Sequence, residues 1–441
     1  MELRGKDVLV VGMKRSGMGA IELLRKHGAR VRAMDAQVPT PEDLARLQAL
    51  GVSVSPQQPE NLGTPDLIVL SPAVPFHLPL FAPARERGVP VIGEVELASF
   101  FLKGPVIGIT GSNGKTTTTA LVGHLLRECG VRCQVGGNIG TAVTSLIGTS
   151  AEEQWNVLEL SSFQLETIDR FRAHIGACLN VTPDHLDRHG TLDLYAAAKG
   201  RLLETQIAGD FAVLNYEDSI CRGYARKTRA EVFWFSSKQP VPQGVAIENN
   251  ALVYCGEPFL NRSSIKLRGM HNVENVMAAT LMAHLAGVPL EELAPAVESF
   301  SGVEHRIEFV RKLDGVEYYN DSKATNVDAT LKAVASFPGN LWIILGGKDK
   351  GSDYAPLAEA LREKAKRALL IGAATQLIAE ALKDRVPLED CGTLERAVRY
   401  AREHAEAGDF VLLAPACASF DQFENFEHRG RVFKQIVAEL L

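Results

Sequence analysis

The chain has no stretch of about 18 uncharged apolar residues, and its first eleven residues run from charge straight into a short apolar segment. Neither a membrane span nor an export signal is expected. There is no long basic run, and 47 Lys and Arg stand against 53 Asp and Glu for a formal net charge of −6. That balance gives no electrostatic footprint for nucleic acid or an anionic membrane. No C-x-x-C unit occurs among the seven cysteines, Cys129, Cys133, Cys178, Cys221, Cys255, Cys391 and Cys417. An odd, scattered set argues against a disulfide framework or a zinc site and predicts reduced core residues of a cytoplasmic protein. Short-period repeats, heptads and low-complexity segments are absent as well, which excludes solenoids and coiled coils.

What is present is an ordinary globular composition, 46% hydrophobic and 23% charged, over 441 residues. At about 100–200 residues per domain that length predicts roughly three domains. Short apolar runs at 7–11, 30–34, 66–70 and 89–92 alternate with helical periodicity, the rhythm of a parallel α/β sheet. A second set follows, with strands at 106–110, 156–160, 177–180 and 211–215 and helices at 115–128 and 272–286. Residues 232–264 read as a small antiparallel addition. Strands at 316–320, 341–345, 368–371 and 410–413 make a third set. Three consecutive α/β domains are predicted, 1–95, 96–300 and 301–441.

The sharpest local signal is Gly111-Ser112-Asn113-Gly114-Lys115-Thr116-Thr117, between an apolar strand and a helix. Such a loop aims backbone N–H groups at phosphate oxygens, its lysine neutralises the β- and γ-phosphates, and a threonine hydroxyl reaches Mg²⁺. The usual spacing would put glycine where Ile109 stands, so this is a variant loop. The bland alternative is a glycine-rich turn capped by Ser112.

Glu159 ends a predicted buried strand, where a carboxylate is costly without a cation or donor. A divalent metal beside the nucleotide would satisfy it; a solvated strand end is the alternative. His185, between Asp184 and Asp187, suggests a metal or substrate site, although a loop histidine is usually only exposed and imidazole is not the preferred ligand of Mg²⁺. Asn272 and Asn275, three apart at a helix start, face one way and can contact a nucleotide, with N-capping the simpler role for Asn272. In the first domain Gly12-Met13-Lys14-Arg15-Ser16-Gly17 follows a strand and opens a helix, but G-x-G-x-x-G is missing, which disfavours a dinucleotide dehydrogenase.

The variant loop, read from Thr110 to Thr116, resembles that of the Mur ligases and their folylpolyglutamate synthetase relatives. Downstream stand Glu159-Leu160-Ser161-Ser162-Phe163-Gln164, Asn180-Val181-Thr182-Pro183-Asp184-His185-Leu186-Asp187, Ala198-Lys199, His271-Asn272-Val273-Glu274-Asn275, His305-Arg306 and Asn320-Asp321-Ser322-Lys323-Ala324-Thr325-Asn326, in the order that family uses. Gly346-Gly347-Lys348-Asp349-Lys350-Gly351 and the run from Pro415 to Phe423 look like the D-glutamate-adding member, and no D-N-P-R stretch points to a sibling.

The resemblance implies Rossmann-like first and third domains around a central P-loop ATPase-like domain. It implies ATP-dependent joining of D-glutamate to UDP-N-acetylmuramoyl-L-alanine in cell-wall precursor synthesis, by a cytoplasmic monomer. ATP would be held by Gly111 to Thr117, Asn272, Asn275, Arg306 and Asp321. Two Mg²⁺ ions would be held by Thr116, Glu159, His185 and Lys199, the last as a carbamate. Lys115, His185, Lys199 and Lys323 would carry the catalysis. The UDP-substrate would meet Ser16, Asp35, Ser71, Asn138, Ser161 and Gln164, with Ala36 and Gln37 departing from the family's usual pair beside the uracil. D-Glutamate would meet Thr325, Lys350, Ser419 and backbone donors near Phe426. Without the resemblance Lys199 would be a solvated helix residue paired with Glu204 or Asp193, and Lys323 and Lys350 ordinary surface lysines. A P-loop switch that makes no bond is the rival from another class.

Overall fold

The computed structural model describes the backbone of residues 1–441 and every side chain except that of Asp187. The first sheet is built from β1 (Asp7–Val11), β2 (Arg30–Asp35), β3 (Ser53–Pro56), β4 (Leu67–Leu70) and β5 (Val91–Gly93), all parallel, in the order β3-β2-β1-β4-β5. Side chains alternate across a pleated strand, so Val8 and Val10 join the core on one face while Leu9 and Val11 join that on the other. Both faces are covered, as a parallel sheet requires.

The second sheet comprises β6 (Val106–Thr110), β7 (Cys133–Gly137), β8 (Trp155–Glu159), β9 (Ile175–Cys178), β10 (Phe211–Asn215), β11 (Glu231–Ser236), β12 (Gly244–Glu248), β13 (Ala251–Tyr254) and β14 (Glu257–Asn261). Their order is β14-β13-β12-β11-β10-β9-β6-β8-β7. The expected antiparallel addition is partly corrected. β11 and β12 continue the sheet in parallel, and antiparallel pairing is confined to the edge, where β13 pairs with β12 and with β14. The third sheet consists of β15 (Glu308–Leu313), β16 (Val316–Asn320), β17 (Leu341–Gly346), β18 (Ala365–Ile371), β19 (Leu388–Gly392) and β20 (Phe410–Leu413), ordered β15-β16-β20-β17-β18-β19, with β15 alone antiparallel to its neighbour.

The chain divides into two compact units, Met1–Ile265 with Met270–Ser299, and Lys266–Gly269 with Phe300–Leu441. Within the first unit two buried acids fasten the first sheet to the second. Glu94 accepts from the Thr144 N–H and hydroxyl at 2.7 and 2.8 Å, and Glu96 accepts from the N–H groups of Asp169, Arg170 and Phe171 at 2.8–3.0 Å. Burial pushes the Glu94 carboxyl above its ordinary range against these donors. In the second unit the short segment Lys266–Gly269 is held by Arg268, which donates to the Tyr319 hydroxyl at 2.7 Å and to Glu317 at 2.6 Å. Its guanidinium also lies over the rings of Tyr319, Phe337 and Phe410, 4.8–5.4 Å from their centroids.

The cysteines are all free, but only Cys178, Cys221, Cys391 and Cys417 are buried. Cys255 is exposed in a turn and corrects the expectation of an all-core set. No helix among the described residues is long and apolar enough to cross a membrane.

Candidate functional site

β6 ends at Thr110, with Ile109 wholly buried inside the strand, so the loop proper begins at Gly111. Gly114 caps the helix Lys115–Glu128 with φ +86°, and a Cβ there would lie 2.3 Å from Asn275 Oδ1. Only glycine admits both the left-handed backbone and that close approach. Asn275 in turn accepts from the Thr118 hydroxyl at 3.2 Å and donates to Asn272 Oδ1 at 3.0 Å. The helix carrying them, Met270–Leu285, begins two residues before Asn272, so Asn272 is buried in the first turn and the capping role is corrected.

Ser112 does not cap the loop's helix either. Its hydroxyl donates to the Thr182 carbonyl, accepts from the Thr182 N–H, both at 2.9 Å, and shares a hydrogen bond with the Tyr195 hydroxyl at 3.2 Å. Asn180 clamps the next residue from both sides: its Oδ1 accepts from the Asn113 N–H at 2.8 Å and its Nδ2 donates to the Asn113 carbonyl at 3.1 Å. These bonds fix the loop's backbone from the neighbouring segment 180–182 and from Tyr195.

Lys115 Nζ donates to the carbonyls of Gly111 and Ser112, both at 2.9 Å. Lys199 Nζ donates to the Gly111 carbonyl at 2.8 Å and lies over the Tyr195 ring, 4.4 Å from its centroid. Lys199 is 1% exposed on the helix Leu192–Glu204, and burial, then the charge of Lys115, pushes its amine down to about 7. The solvated-face alternative therefore fails, and Glu204 pairs with Lys227 instead.

Glu159 ends β8 opposite Ile109 and is 2% exposed. Its Oε1 accepts from Asn138 Nδ2 at 2.8 Å, while its buried Oε2 has no hydrogen-bond partner among the described residues. An orphaned carboxylate oxygen beside a phosphate loop fits a hard divalent cation such as Mg²⁺, and Thr116, buried in the first turn of the adjoining helix, offers a second oxygen. His185 sits apart from that pair in character. It adopts φ +51°, is about half exposed, and packs its ring 4.9 Å from that of Phe163.

The first-domain residues gather at the carboxyl ends of β1, β2 and β4, the switch point of this strand order, where open α/β sheets bind ligands. Ser71 follows β4 and is buried, and Ser16 lies in the first turn of the helix Arg15–Lys26. Asp35 is engaged within the turn itself, accepting from the Met13 N–H at 2.6 Å and the Gln37 N–H at 2.9 Å. Arg15 reaches the Asn138 carbonyl at 3.3 Å. Ser161 and Gln164 form a capping box, with Gln164 Oε1 accepting from the Ser161 N–H at 3.0 Å.

Residue spacing gave no sign of the group behind this box. Glu166 takes Arg188 on Oε2 at 2.8 Å and His189 on Oε1 at 3.3 Å. Arg188 also donates to the carbonyls of Ala73 and Val74, both at 3.3 Å, and lies over the Phe163 ring. His189, its imidazolium form disfavoured by burial, shares a hydrogen bond with Ser162 at 3.0 Å.

In the second unit the strand order makes β16, β20 and β17 neighbours, so the loops that follow them rise side by side. They carry, respectively, Asp321, Lys323 and Thr325; Ser419; and Lys350. Lys350 Nζ donates to the Thr325 carbonyl at 3.2 Å, and Ser322 Oγ donates to the Phe426 carbonyl at 2.8 Å. Asp321 is 6% exposed, and burial, opposed by the charge of Arg306, pushes its carboxyl up to about 6. Arg306 stands between two residues with left-handed backbone, His305 at φ +64° and Ile307 at φ +44°. Such a conformation is unusual for a β-branched residue. Arg429, unremarked in the sequence, is 1% exposed and ties the loops together, donating to the carbonyls of Ser322 at 2.9 Å and Cys417 at 3.2 Å.

Comparison with known families matches residues 6–93 to the Mur ligase MurD-like N-terminal domain, 109–283 to the Mur ligase middle domain, and 305–417 to the Mur ligase glutamate ligase domain. The UDP-N-acetylmuramoylalanine–D-glutamate ligase of Solibacter usitatus is 59% identical over 99% of this chain and 98% of its own length. The proteins of the same name from Koribacter versatilis and Myxococcus xanthus are 47% and 45% identical, covering 100% of this chain and 99% and 100% of their own. In fold the chain is similar to the UDP-N-acetylmuramate-alanine ligase MurC of Thermotoga maritima, with a TM-score of 0.61 at 20% identity over 98% of this chain and 99% of that one. With matching domains along its length and relatives this similar from end to end, the chain belongs to the Mur ligase family.

Proposed function

We infer that the chain is an ATP-dependent ligase that adds D-glutamate to UDP-N-acetylmuramoyl-L-alanine, releasing ADP and phosphate. The observation that carries this reading is the meeting of two lysines on the Gly111 carbonyl, with an orphaned buried carboxylate oxygen on the strand paired to the one that enters this loop. Full-length relatives that bear the name of that ligase support the choice of substrates. Segments 1–95, 96–300 and 301–441 are taken to receive the UDP-substrate, ATP and the amino acid in turn.

The L-alanyl carboxylate attacks the γ-phosphorus of ATP and ADP departs, leaving an acyl phosphate. The D-glutamate amine attacks the acyl carbon and loses a proton, and phosphate leaves. No protein nucleophile is needed; the chain's task is to hold and neutralise charge. The N–H groups of Gly111 to Thr117 cradle the phosphates, Lys115 turns from the Gly111 and Ser112 carbonyls to the β- and γ-phosphates, and Asn272, Asn275, Arg306 and Asp321 hold the rest of ATP. Two Mg²⁺ ions, when bound, would neutralise phosphate oxygens, held by Thr116 and Glu159 and by His185 and Lys199. An ammonium at Lys199 would repel a cation, so Lys199 is proposed to carry CO₂ as a carbamate, which supplies anionic oxygen and keeps one N–H for the Gly111 carbonyl. Lys323 stabilises the oxyanion.

Ser16, Asp35, Ser71, Asn138, Ser161 and Gln164 are proposed to bind the UDP-substrate, Asp35 and Gln164 chiefly by shaping their turns. Thr325, Lys350, Ser419 and the backbone near Phe426 are proposed to bind D-glutamate. The reading extends to a cytoplasmic monomer. Phosphate release with ATP and UDP-N-acetylmuramoyl-L-alanine, the amino acid being varied, tests it: D-glutamate alone should support turnover. Equal rates with L-glutamate or meso-diaminopimelate, or release without any amino acid, would overturn it.

A further inference from the structure

The loop Pro415 to Phe423, which follows β20 and carries Ser419, forms no helix or strand, yet it is held from several sides. Lys348 and Ala418 exchange backbone hydrogen bonds at 2.8 and 3.1 Å. Asp421 reaches the loop after β18, where its Oδ2 accepts from the Ala373 N–H at 3.0 Å, and Gln422 donates to the carbonyl of Gly392, the last residue of β19, at 2.8 Å. Two glycines make room for this path. A Cβ on Gly347 would lie 2.2 Å from the Ala418 carbonyl oxygen, and a Cβ on Gly372 would lie 2.2 Å from Asp421 Oδ2 itself. Asp421 is exposed, and its Oδ2 lies where any side chain at 372 would stand.

We propose that the Asp421–Gly372 clasp is the positioning element of the amino-acid site, setting affinity for D-glutamate and preference for the D-isomer through the placement of Ser419. The proposal rests on the reading above that Lys350 and Ser419 receive D-glutamate. Asp421 touches no substrate. Its carboxylate oxygen accepts the Ala373 N–H at the protein surface and so ties the loop after β20 to the loop after β18. A site for two carboxylates needs donors fixed to within about 0.5 Å, and a loop lacking its own ladder takes that precision from such anchors. Loosening it costs the correct isomer, which uses every donor, more than its mirror image, which uses fewer.

Asp421→Ala and Gly372→Ala should each raise KM for D-glutamate about fivefold, the loss of one exposed hydrogen bond, and narrow the D/L preference. KM for ATP and for the UDP-substrate should stay within about twofold, and Asp421→Asn, which keeps an acceptor without the charge, should fall between. The double variant Gly372→Ala/Asp421→Ala should be little worse than Gly372→Ala, which also carries the strain of a side chain at φ +71°, because the shared contact is already broken. Lys350→Ala serves as the control. If it leaves KM for D-glutamate unchanged, the amino-acid-site reading fails. If it raises KM while Asp421→Ala and Asp421→Asn do not, or if the two single effects multiply in the double variant, the clasp is refuted.

Discussion

Lys115 and Lys199 donate to the same acceptor, the Gly111 carbonyl, at 2.9 and 2.8 Å. Two ammonium groups on one oxygen repel each other, and the buried partner is the one whose charge is costly. Burial, then the charge of Lys115, brings the Lys199 amine down to about 7, so its neutral form is within reach near neutral pH.

Lys115→Ala should abolish turnover while leaving UDP-substrate affinity nearly intact, since the role proposed for Lys115 is confined to the phosphates of ATP. Titration calorimetry with the UDP-substrate beside a phosphate-release assay separates the two. A variant keeping more than about a tenth of wild-type activity would retain most of the charge stabilisation assigned to this lysine, contrary to expectation.

Lys199→Ala should be almost inactive and partly restored by acetate or formate, which can take the place of the proposed carbamate's oxygens. Lys199→Arg should resist rescue, because its guanidinium cannot be neutralised. The modification itself is open to direct detection: ¹³C-enriched CO₂ should give a carbamate resonance in the wild-type enzyme that is absent from both variants. No such resonance, with full activity under CO₂ depletion, would dismiss the carbamate.

Asp321→Asn should stabilise the protein at neutral pH while impairing catalysis. The native carboxyl, raised to about 6 from 3.8, holds a proton between those values that the unfolded chain has released. Stability from this group therefore falls as pH rises through that window and remains lowered above it, by on the order of 2–3 kcal/mol at most. The variant's gain in Tm should be full at pH 8 and vanish below about pH 4, where both forms of the residue are neutral. A Tm difference independent of pH would remove the ionic explanation.

Arg188→Lys should raise KM for the UDP-substrate about five- to twentyfold, with KM for ATP unchanged, because lysine lacks the fork that joins Glu166 to the carbonyls of Ala73 and Val74. Those carbonyls lie in the turn that follows Ser71. Steady-state kinetics with each substrate varied in turn would show the split, and an equal rise in both constants would exclude a role specific to that turn.

The parts of this molecule that were legible in the sequence are those whose pattern is local. The helix Lys115–Glu128 and strands β6, β10, β16 and β20 fall where apolar runs and glycine-rich turns predict them. Strands β3, β7, β15 and β19 escaped notice because Ser53–Pro56 is short and polar, Cys133–Gly137 is glycine-rich, Glu308–Leu313 breaks two-residue alternation by pairing Phe309 with Val310 and Arg311 with Lys312, and Leu388–Gly392 is acidic. Edge position explains why such segments suffice, since each but β15 borrows its order from a neighbour's parallel ladder. The site divides in the same way. Lys115 announces itself by spacing, and Lys199 through the motifs around it. Asn180, Arg188 and Arg429 act through contacts between segments distant in sequence, and nothing in their immediate surroundings encodes the partner.

The assignment of Lys266–Gly269 to the second unit bears on how this protein can be dissected. A fragment cut at residue 300 would leave Glu317 and the rings of Tyr319, Phe337 and Phe410 without the guanidinium that covers them, so it should fold poorly alone. A synthetic peptide spanning residues 264–270, supplied in trans, should bind that fragment and restore its cooperative melting, and the same peptide with Arg268→Ala should not. The chain's third sheet is in this sense a two-piece object, completed by a splint borrowed from the middle of the sequence.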